Sequence, residues 1–409
     1  MNKTKWGSVL LLLAMAASLN ARERREPCCS TIVSSPADSP CLVRPNECDG
    51  PNLCPMYPEL DCQAYMHFDI GFIYEQMRVT GSEVAYNVCG TCIAAEEEEE
   101  DPFARGPQVP WTGCTLTPEF DLSFGVTAAL GYYACWDDWY FKLNFDWLQS
   151  TATLNKKCDC QMGQTIMPNG AWVANMVRAA AETSGSCDGP LACIGEICDT
   201  LHANYYMLEG NINRGSFISL ALAIEPYCGM KTVWTDFCNN ILFRSQNNPG
   251  EPESSVLAFV NRTQRSQFWG IGPEWGVNLK WFLVEGMSLF CDPDVAILFG
   301  HTVVKDTIYN DGGGCSPCES CNSECRVEFC NSVRMMSPNL RVVLGFMWDR
   351  DFCANTQHLQ IKAGLDVNYF WNQYLTVDWV DNYGYPNFRA NDHNDFSMVC
   401  LLFNVGWDF

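Results

Sequence analysis

The sequence has few charged residues and, beyond its N-terminal region, no long apolar run. Asp, Glu, Lys and Arg make up 18% of the chain, whereas about 25% is usual for a soluble protein. No later segment offers about 18 consecutive apolar residues, which excludes a transmembrane helix. Lys and Arg number 25 against 48 Asp and Glu, for a net charge of −23. Nucleic acid is therefore not an expected partner, because its binding requires basic patches.

The sequence also lacks the common signatures of a hydrolase. It contains five histidines and no G-x-S-x-G nucleophile motif. A histidine that faces a wet interior needs no catalytic role. We therefore expect that the protein is not an enzyme and uses no cofactor or metal.

The first residues are typical of an export signal. Lys3 and Lys5 precede a short apolar run at residues 9–17, and Ala21 is a plausible cleavage position. The run is too short to span a bilayer as a helix. We predict a signal peptide at residues 1–21, so the mature chain enters an oxidising compartment.

The remaining sequence has the period of two that is typical of half-buried strands. Apolar residues alternate with polar or small ones at 66–75, 119–127, 139–147, 218–225, 271–281 and 359–369. The last strand alternates in the same way and ends on Trp407 and Phe409, which we interpret as the closing strand and insertion signal. A large secreted β-sandwich also alternates, but small, mixed polar faces and aromatic strand ends favour a membrane barrel.

These patterns predict an all-β fold: a single transmembrane antiparallel β-barrel over residues 65–409. We expect about 12 strands, with 10–16 plausible, because bacterial barrels have an even number. Polar inserts at residues 94–110 and 310–330 are predicted to be external loops or a constriction, and the spacing at residues 169–185 predicts a short helix. Residues 22–64 are predicted to form a cysteine-rich segment on the periplasmic side.

Charged residues on the polar faces of the strands are the candidates for a pore wall. They are Asp69, Glu75, Asp121, Lys142, Asp146, Glu225, Glu274, Lys280, Arg341, Lys362 and Asp366. The same residues could instead pair and close the lumen with salt bridges, and the sequence leaves both possibilities open.

The chain contains 25 cysteines, and export makes disulfides the default interpretation. The disulfide candidates are Cys28, Cys29, Cys41, Cys48, Cys54, Cys62, Cys89, Cys92, Cys315, Cys318, Cys321, Cys325 and Cys330. The spacing from Cys315 to Cys325 resembles that of an iron–sulfur ligand run. Arg326 replaces the usual following proline, so a disulfide-tied loop is the preferred interpretation. The odd total leaves at least one thiol free or paired with another chain.

Several stretches resemble the Legionella-type major outer membrane proteins, a family also found in chlamydia-related bacteria. They lie at residues 118–153, 214–234, 268–300, 344–352 and 358–373, and the segment GIGPEWGVNLKW is the most specific. The resemblance implies a cysteine-rich barrel with porin activity, cross-linked into the envelope, and a role in attachment to host cells.

We therefore expect a porin of the bacterial outer membrane that allows passive diffusion of small hydrophilic solutes. The acidic balance predicts a bias toward cations. Expected partners are outer-membrane lipid and, through disulfides, other copies or cysteine-rich envelope proteins. The alternative is a structural or adhesive protein that forms a disulfide-linked surface lattice without an open pore.

Overall fold

Ten long strands form a closed antiparallel cylinder in the computed structural model of the chain. The structure describes residues 65–89, 112–134, 139–157, 164–168, 193–219, 221–246, 259–284, 286–310, 325–352, 357–382 and 385–409. The cylinder strands are β1 (Tyr65–Val79), β5 (Ser123–Ala134), β6 (Trp139–Lys157), β8 (Cys193–Asn213), β10 (Leu222–Gln246), β11 (Phe259–Val284), β12 (Met287–Asn310), β13 (Cys325–Phe352), β14 (Gln357–Asn382) and β15 (Tyr385–Asp408). The ring is complete because β15 pairs with β1, while β10 pairs with both β8 and β11.

Five shorter strands lie outside this ring. Glu119–Phe120 (β4) pairs with β6, and Ser216–Ser219 (β9) pairs with the start of β10. Ala85–Cys89 (β2) lies between Thr112–Leu116 (β3) and Gln164–Pro168 (β7) in a separate small sheet. Among the described residues the cylinder thus has ten strands, the lower end of the predicted range of 10–16. Two further strands, β4 and β9, pair with it to make one sheet of 12 strands, and the predicted antiparallel barrel is confirmed.

Two predicted strands are interrupted in the structure. The pattern at 119–127 breaks at residues 121–122, so Phe120 points inward and is buried, whereas Phe124 points outward and is 74% exposed. The pattern at 218–225 contains the turn between β9 and β10. Alternation that continues across a turn or bulge cannot be told from one strand by period alone. The predicted signal peptide, the segment 22–64 and the predicted helix at 169–185 lie outside the described residues.

The two ends of the cylinder differ in the length of their connections. Short connections join β5 to β6, β11 to β12, and β13 to β14, at the end that also holds Tyr65 and Phe409. Gly286, with a φ of +71°, occupies the turn between β11 and β12, where a side chain would be strained. Longer segments leave the opposite end after β1, β6, β10 and β12, whereas only two residues separate β14 from β15 there. Because barrels of this class have short periplasmic turns and long external loops, the end with Phe409 is the periplasmic one.

The outer wall carries exposed apolar side chains, the reverse of a soluble protein. Phe72 on β1, Phe299 on β12 and Leu401 on β15 are 63%, 56% and 59% exposed. The polar residues between them, such as Asp69 and Glu75, are buried inside. A β-sandwich would bury its large apolar side chains, so this pattern excludes it and indicates a wall that faces lipid.

A row of aromatic residues marks the external limit of the apolar wall. Cross-strand pairing places five outward-facing side chains side by side on β6, β8, β10, β11 and β12. We call this the boundary row: Trp147, Tyr206, Trp234, Trp269 and His301. One step toward the periplasm the outward residues are apolar except Thr232, and one step outward they are polar or charged except Val303. Aromatic girdles of this kind lie at membrane interfaces.

The height of the apolar wall matches a bilayer. On β11, Trp269 lies in the boundary row, and Trp281 lies near the periplasmic end. These two residues are about 12 positions apart, roughly 40 Å along an extended strand. A strand tilt of about 40° reduces this to roughly 30 Å across the membrane. The strands of β10 to β15 continue beyond the boundary row, so the cylinder projects outward from the membrane.

Candidate functional site: the barrel interior

The interior collects nearly all of the predicted pore-wall residues. Asp69, Glu75, Asp146, Glu225, Glu274 and Asp366 are buried inside the cylinder, and Lys142, Lys280, Arg341 and Lys362 are half-buried there. The prediction that Asp121 lines the pore wall is wrong. Asp121 lies in the break between β4 and β5, its side chain is exposed, and its backbone N–H donates to the Thr151 carbonyl at 3.2 Å.

A buried lysine organises the middle of the interior, where Lys231 is paired in register with Gly272 near the midpoint of β11. Lys231 Nζ on β10 is fully buried and lies 2.6 Å from Glu274 Oε1 and 2.5 Å from Asp294 Oδ1. It also donates to Asn339 Oδ1 at 3.2 Å, and Glu209 Oε2 is 3.8 Å away. Side chains from four other strands therefore meet at the ammonium group of Lys231 on β10. Of these residues only Glu274 was predicted, because the others lie on strands whose two faces are both partly apolar.

A second cation connects opposite walls. Arg341 on β13 makes paired hydrogen bonds with Asp366 on β14, the closest at 2.6 Å. Its guanidinium also reaches Asp146 on β6 at 3.5 Å and Glu209 on β8 at 3.8 Å. In the ring of ten, β6 and β13 are five strands apart in either direction. The side chain of Arg341 therefore bridges the lumen from one side to the other.

A polar cavity of about 80 Å³ lies among these groups. It is large enough for a few water molecules, since one water occupies about 30 Å³ of liquid. Both signs of charge line it: Asp69, Lys142, Asp146, Glu209, Lys280, Asp292, Asp294, Arg341 and Lys362. The cavity therefore offers polar partners to water or to a small ion.

A layer of rings fills the interior above this compartment. Tyr205, Phe237, Phe370, Tyr374 and Phe396 are each at most 1% exposed. Ring centroids are 5.9 Å apart for Tyr205 and Phe370, 5.2 Å for Phe237 and Phe396, and 5.7 Å for the stacked pair Phe370 and Phe396. Because β8 and β14 are opposite in the ring, as are β10 and β15, these contacts cross the whole lumen. We call these five residues the aromatic layer.

Beyond the aromatic layer the interior is closed a second time. Arg262 on β11 and Asp306 on β12 form a buried ion pair, with Nη2 to Oδ2 at 2.7 Å. The small sheet then packs against the external end of the cylinder through Ala85 and Ile166. Their partners are interior apolar residues of the wall: Ile197, Ile241, Phe243, Val260, Ile308 and Leu375.

The closing seam of the cylinder is held by one carboxylate. One carboxylate oxygen of Asp408 on β15 is hydrogen-bonded to His67 on β1. The other carboxylate oxygen lies 2.6 Å from Nδ1 of His358 on β14. Asp69 is 2.9 Å from the second ring nitrogen of His67. Trp407 and Phe409, the predicted closing residues, face outward and are 43% and 60% exposed. The C-terminal strand therefore closes the barrel as predicted. Asp408, the inward residue between those two aromatics, links this strand to both of its neighbours.

The structure describes only part of the cysteine set. Cys330 is exposed on the outer wall and is a free thiol, as are Cys114, Cys198, Cys228, Cys238, Cys291 and Cys400. The side chains of Cys89 and Cys325, and the candidates Cys28, Cys29, Cys41, Cys48, Cys54, Cys62, Cys92, Cys315, Cys318 and Cys321, lie outside what the structure describes. Disulfide pairing therefore stays a prediction.

The described residues contain no group of three or more His, Cys, Asp or Glu side chains arranged to hold a metal ion. Within the same ranges no helix is long and apolar enough to cross a membrane.

A closed cylinder with an apolar outer wall, aromatic boundary residues and an ionisable interior defines a transmembrane β-barrel protein. The family model described as "Legionella pneumophila major outer membrane protein precursor" matches residues 117–409. The chain belongs to this family and is a protein of the bacterial outer membrane. The family resemblance found in the sequence is therefore confirmed. No curated protein matches the chain by sequence.

Solved structures give more distant likenesses. The outer membrane protease OmpT from Escherichia coli is 9% identical, with a TM-score of 0.33, over 84% of this chain and 96% of that chain. The Pseudomonas putida toluene transporter TodX is 8% identical, with a TM-score of 0.28, over 88% and 92%. A Pseudomonas aeruginosa FadL homologue is 8% identical, with a TM-score of 0.24, over 85% and 90%. Because these TM-scores are below 0.5, the fold assignment depends on the strand pairing described above.

Proposed function

We propose that the protein is an outer-membrane channel for passive diffusion of small hydrophilic solutes, with a bias toward cations. The observation that carries this proposal is the acidic interior. The buried acidic residues are Asp69, Glu75, Asp146, Asp199, Glu209, Glu225, Glu274, Asp294, Asp306, Asp366 and Asp408, and the buried basic ones are Lys231 and Arg262. Four half-buried cations reduce this excess without removing it.

An excess of one sign inside a low-dielectric wall attracts the opposite ion and repels its own kind. A purely structural barrel would gain nothing from such an interior, because each unpaired buried charge costs free energy. Glu75 shows this cost, since neither carboxylate oxygen has a hydrogen-bond partner among the described residues. We infer that the excess serves ions or solutes that enter the lumen.

The aromatic layer then acts as the gate of this channel. It contains no charged group, and hydrophobic constrictions close by excluding water. Conduction requires rotation of these rings or displacement of the small sheet at the external end. The polar cavity below the layer is the periplasmic vestibule of the proposed path.

The decisive experiment is planar-bilayer recording of the purified protein in a KCl gradient. We expect channels above background, with a reversal potential shifted from zero toward the equilibrium potential of K⁺. A shift toward the equilibrium potential of Cl⁻ would contradict the cation bias. Absence of channels from folded protein would contradict the channel function itself.

The second candidate is a structural or adhesive protein without a pore. The aromatic layer favours it, because the lumen is filled from wall to wall. Outward-facing thiols beyond the boundary row also favour it, since Cys238 and Cys330 are accessible to partners. Gels run with and without reductant test the lattice, because a lattice protein would migrate as oligomers only without reductant, and the bilayer recording decides whether a pore is present. We assign no catalytic role to the interior histidines, since His67 and His358 are engaged by Asp408.

A further inference from the structure

A groove on the outer wall lies where the membrane ends on the external side. It has a volume of about 280 Å³. Four members of the boundary row line it, namely Tyr206, Trp234, Trp269 and His301, together with Asp236, Gln267 and Val303 on its outer side. Because it faces lipid below and water above, its occupant must be apolar at one end and polar at the other.

Three cations surround the outer half of this groove. Arg334 on β13 is the cross-strand partner of His301, and both side chains point outward. Lys305 on β12 lies two residues beyond Val303 and is paired in register with Arg265 on β11. Arg265 and Lys305 are directly opposed, with Cβ atoms about 5 Å apart, and Arg334 lies two outward-facing positions nearer the membrane. The outer side of the groove is therefore positive in a protein whose net charge is −23.

One of the three cations forms an ion pair within the protein, and the other two have no ion-pair partner among the described residues. Asp236 holds Arg265 by two hydrogen bonds, the longer at 2.8 Å, which fixes the guanidinium beside the groove. Neither Lys305 nor Arg334 has an ion-pair partner among the described residues. Both are exposed, at the depth where lipid headgroups begin.

The wall beneath the groove suits an acyl chain. The register rows one step toward the periplasm contain Ile271, Phe299 and Met336, which are 39%, 56% and 52% exposed. The ring of His301 stands edge-on to Trp269 with centroids 6.2 Å apart, so it forms the polar end of the aromatic floor. An occupant thus meets an apolar strip, then an aromatic shelf, then free positive charge.

We propose that this groove binds the phosphate-bearing headgroup of a lipid in the outer leaflet of the outer membrane. The acyl chain lies on the strip of Ile271, Phe299 and Met336, and the sugar or glycerol part lies against Trp234 and Trp269. The phosphate accepts hydrogen bonds from Lys305 and Arg334. Cations near an anionic lipid surface each strengthen binding by roughly a factor of five, and Arg binds phosphate through two parallel hydrogen bonds.

The test compares lipid A with dephosphorylated lipid A in phosphatidylcholine vesicles or matched micelles that carry the folded, full-length protein. Native mass spectrometry measures how much lipid stays bound. We expect wild-type protein to retain lipid A, and the double variant Lys305→Gln with Arg334→Gln to bind it about 25-fold more weakly. The matched control is Arg78→Gln, an exposed, outward-facing arginine at the external end of β1.

Three outcomes would overturn the proposal. Equal retention of both lipids by the wild type would mean that the groove binds only acyl chains. A loss in Arg78→Gln equal to that in the double variant would mean a general charge effect. Full displacement of lipid A by inorganic phosphate at millimolar concentration would mean that the site binds free phosphate and does not recognise the lipid. The comparison of the two lipids on wild-type protein needs no variant, so the test stands even if a substitution impairs folding.

Discussion

The aromatic layer should limit flux through the barrel, and removing its two central rings should open a path. Phe370 and Phe396 stack on each other, and each contacts a ring on the opposite wall, Tyr205 or Phe237. The Phe396 ring lies 6.1 Å from Tyr205 and 5.2 Å from Phe237 between centroids. The double variant Phe370→Ala with Phe396→Ala therefore vacates a space about two water molecules wide, since water is about 2.8 Å across.

The expected change in flux is large even for a modest change in barrier. Lowering the permeation barrier by about 1.4 kcal/mol raises flux roughly tenfold, and removing an apolar constriction also removes its dewetting cost. We therefore expect at least a tenfold rise in K⁺ flux through liposomes that carry the double variant. The single variant Phe396→Ala should give a smaller rise, because Tyr205 and Phe370 still meet across the lumen.

Stability sets the limit of this experiment. Each Phe→Ala change in a core costs about 3–5 kcal/mol, and the two costs add incompletely because the rings share one site. The control is Phe124→Ala, which removes the same atoms from the lipid face, where the ring is 74% exposed. If the folded double variant conducts within twofold of the wild type, the aromatic layer is not the gate and the reasoning fails.

Further predictions concern the charges and thiols described above. Lys280→Gln should increase cation selectivity, because it removes a cation from the wall of the polar cavity, and the reversal potential in a KCl gradient should move toward that of potassium. Lys231→Met should lower the free energy of unfolding by about 3–5 kcal/mol, since it leaves buried carboxylates without their cation, as measured by urea titration in vesicles. Asp408→Asn should lower it by about 2–4 kcal/mol, because two charge-assisted hydrogen bonds at the seam are weakened. Cys238→Ser with Cys330→Ser should at least halve the disulfide-linked oligomer seen on gels without reductant, and an unchanged pattern would exclude these thiols as the link.

The outward and inward faces of strands such as β1 and β11 could be predicted from the sequence. On β1 the alternation around Asp69 follows from outward residues that meet lipid and inward ones that meet the polar interior, although Ile73 points inward and joins an apolar cluster there. The same holds around Glu274 on β11. Period two therefore identified most of the charged interior without any knowledge of the fold.

The aromatic layer could not be predicted in this way. On β8 and β10 the inward residues Tyr205 and Phe237 are apolar while their neighbours Asn204 and Asp236 point outward, so the apolar-outside pattern is reversed at the level of the gate. The partners of these rings come from strands on the opposite side of the cylinder, and their positions depend on how many strands close it. Asp121 failed for a related reason, because two irregular residues reversed the face that the period assigned.

The carboxylate at the seam has a consequence for assembly fidelity. Because side chains alternate, a slip of one residue in the last strand would turn Asp408 from the interior to the lipid, where an acidic group is unfavourable. A slip of two would keep it inside but separate it from His67 and His358 at once. The final strand can thus complete its bonds only when both neighbours are already in the correct register. We therefore expect loss of the Asp408 carboxylate to favour closure of the barrel in a wrong register.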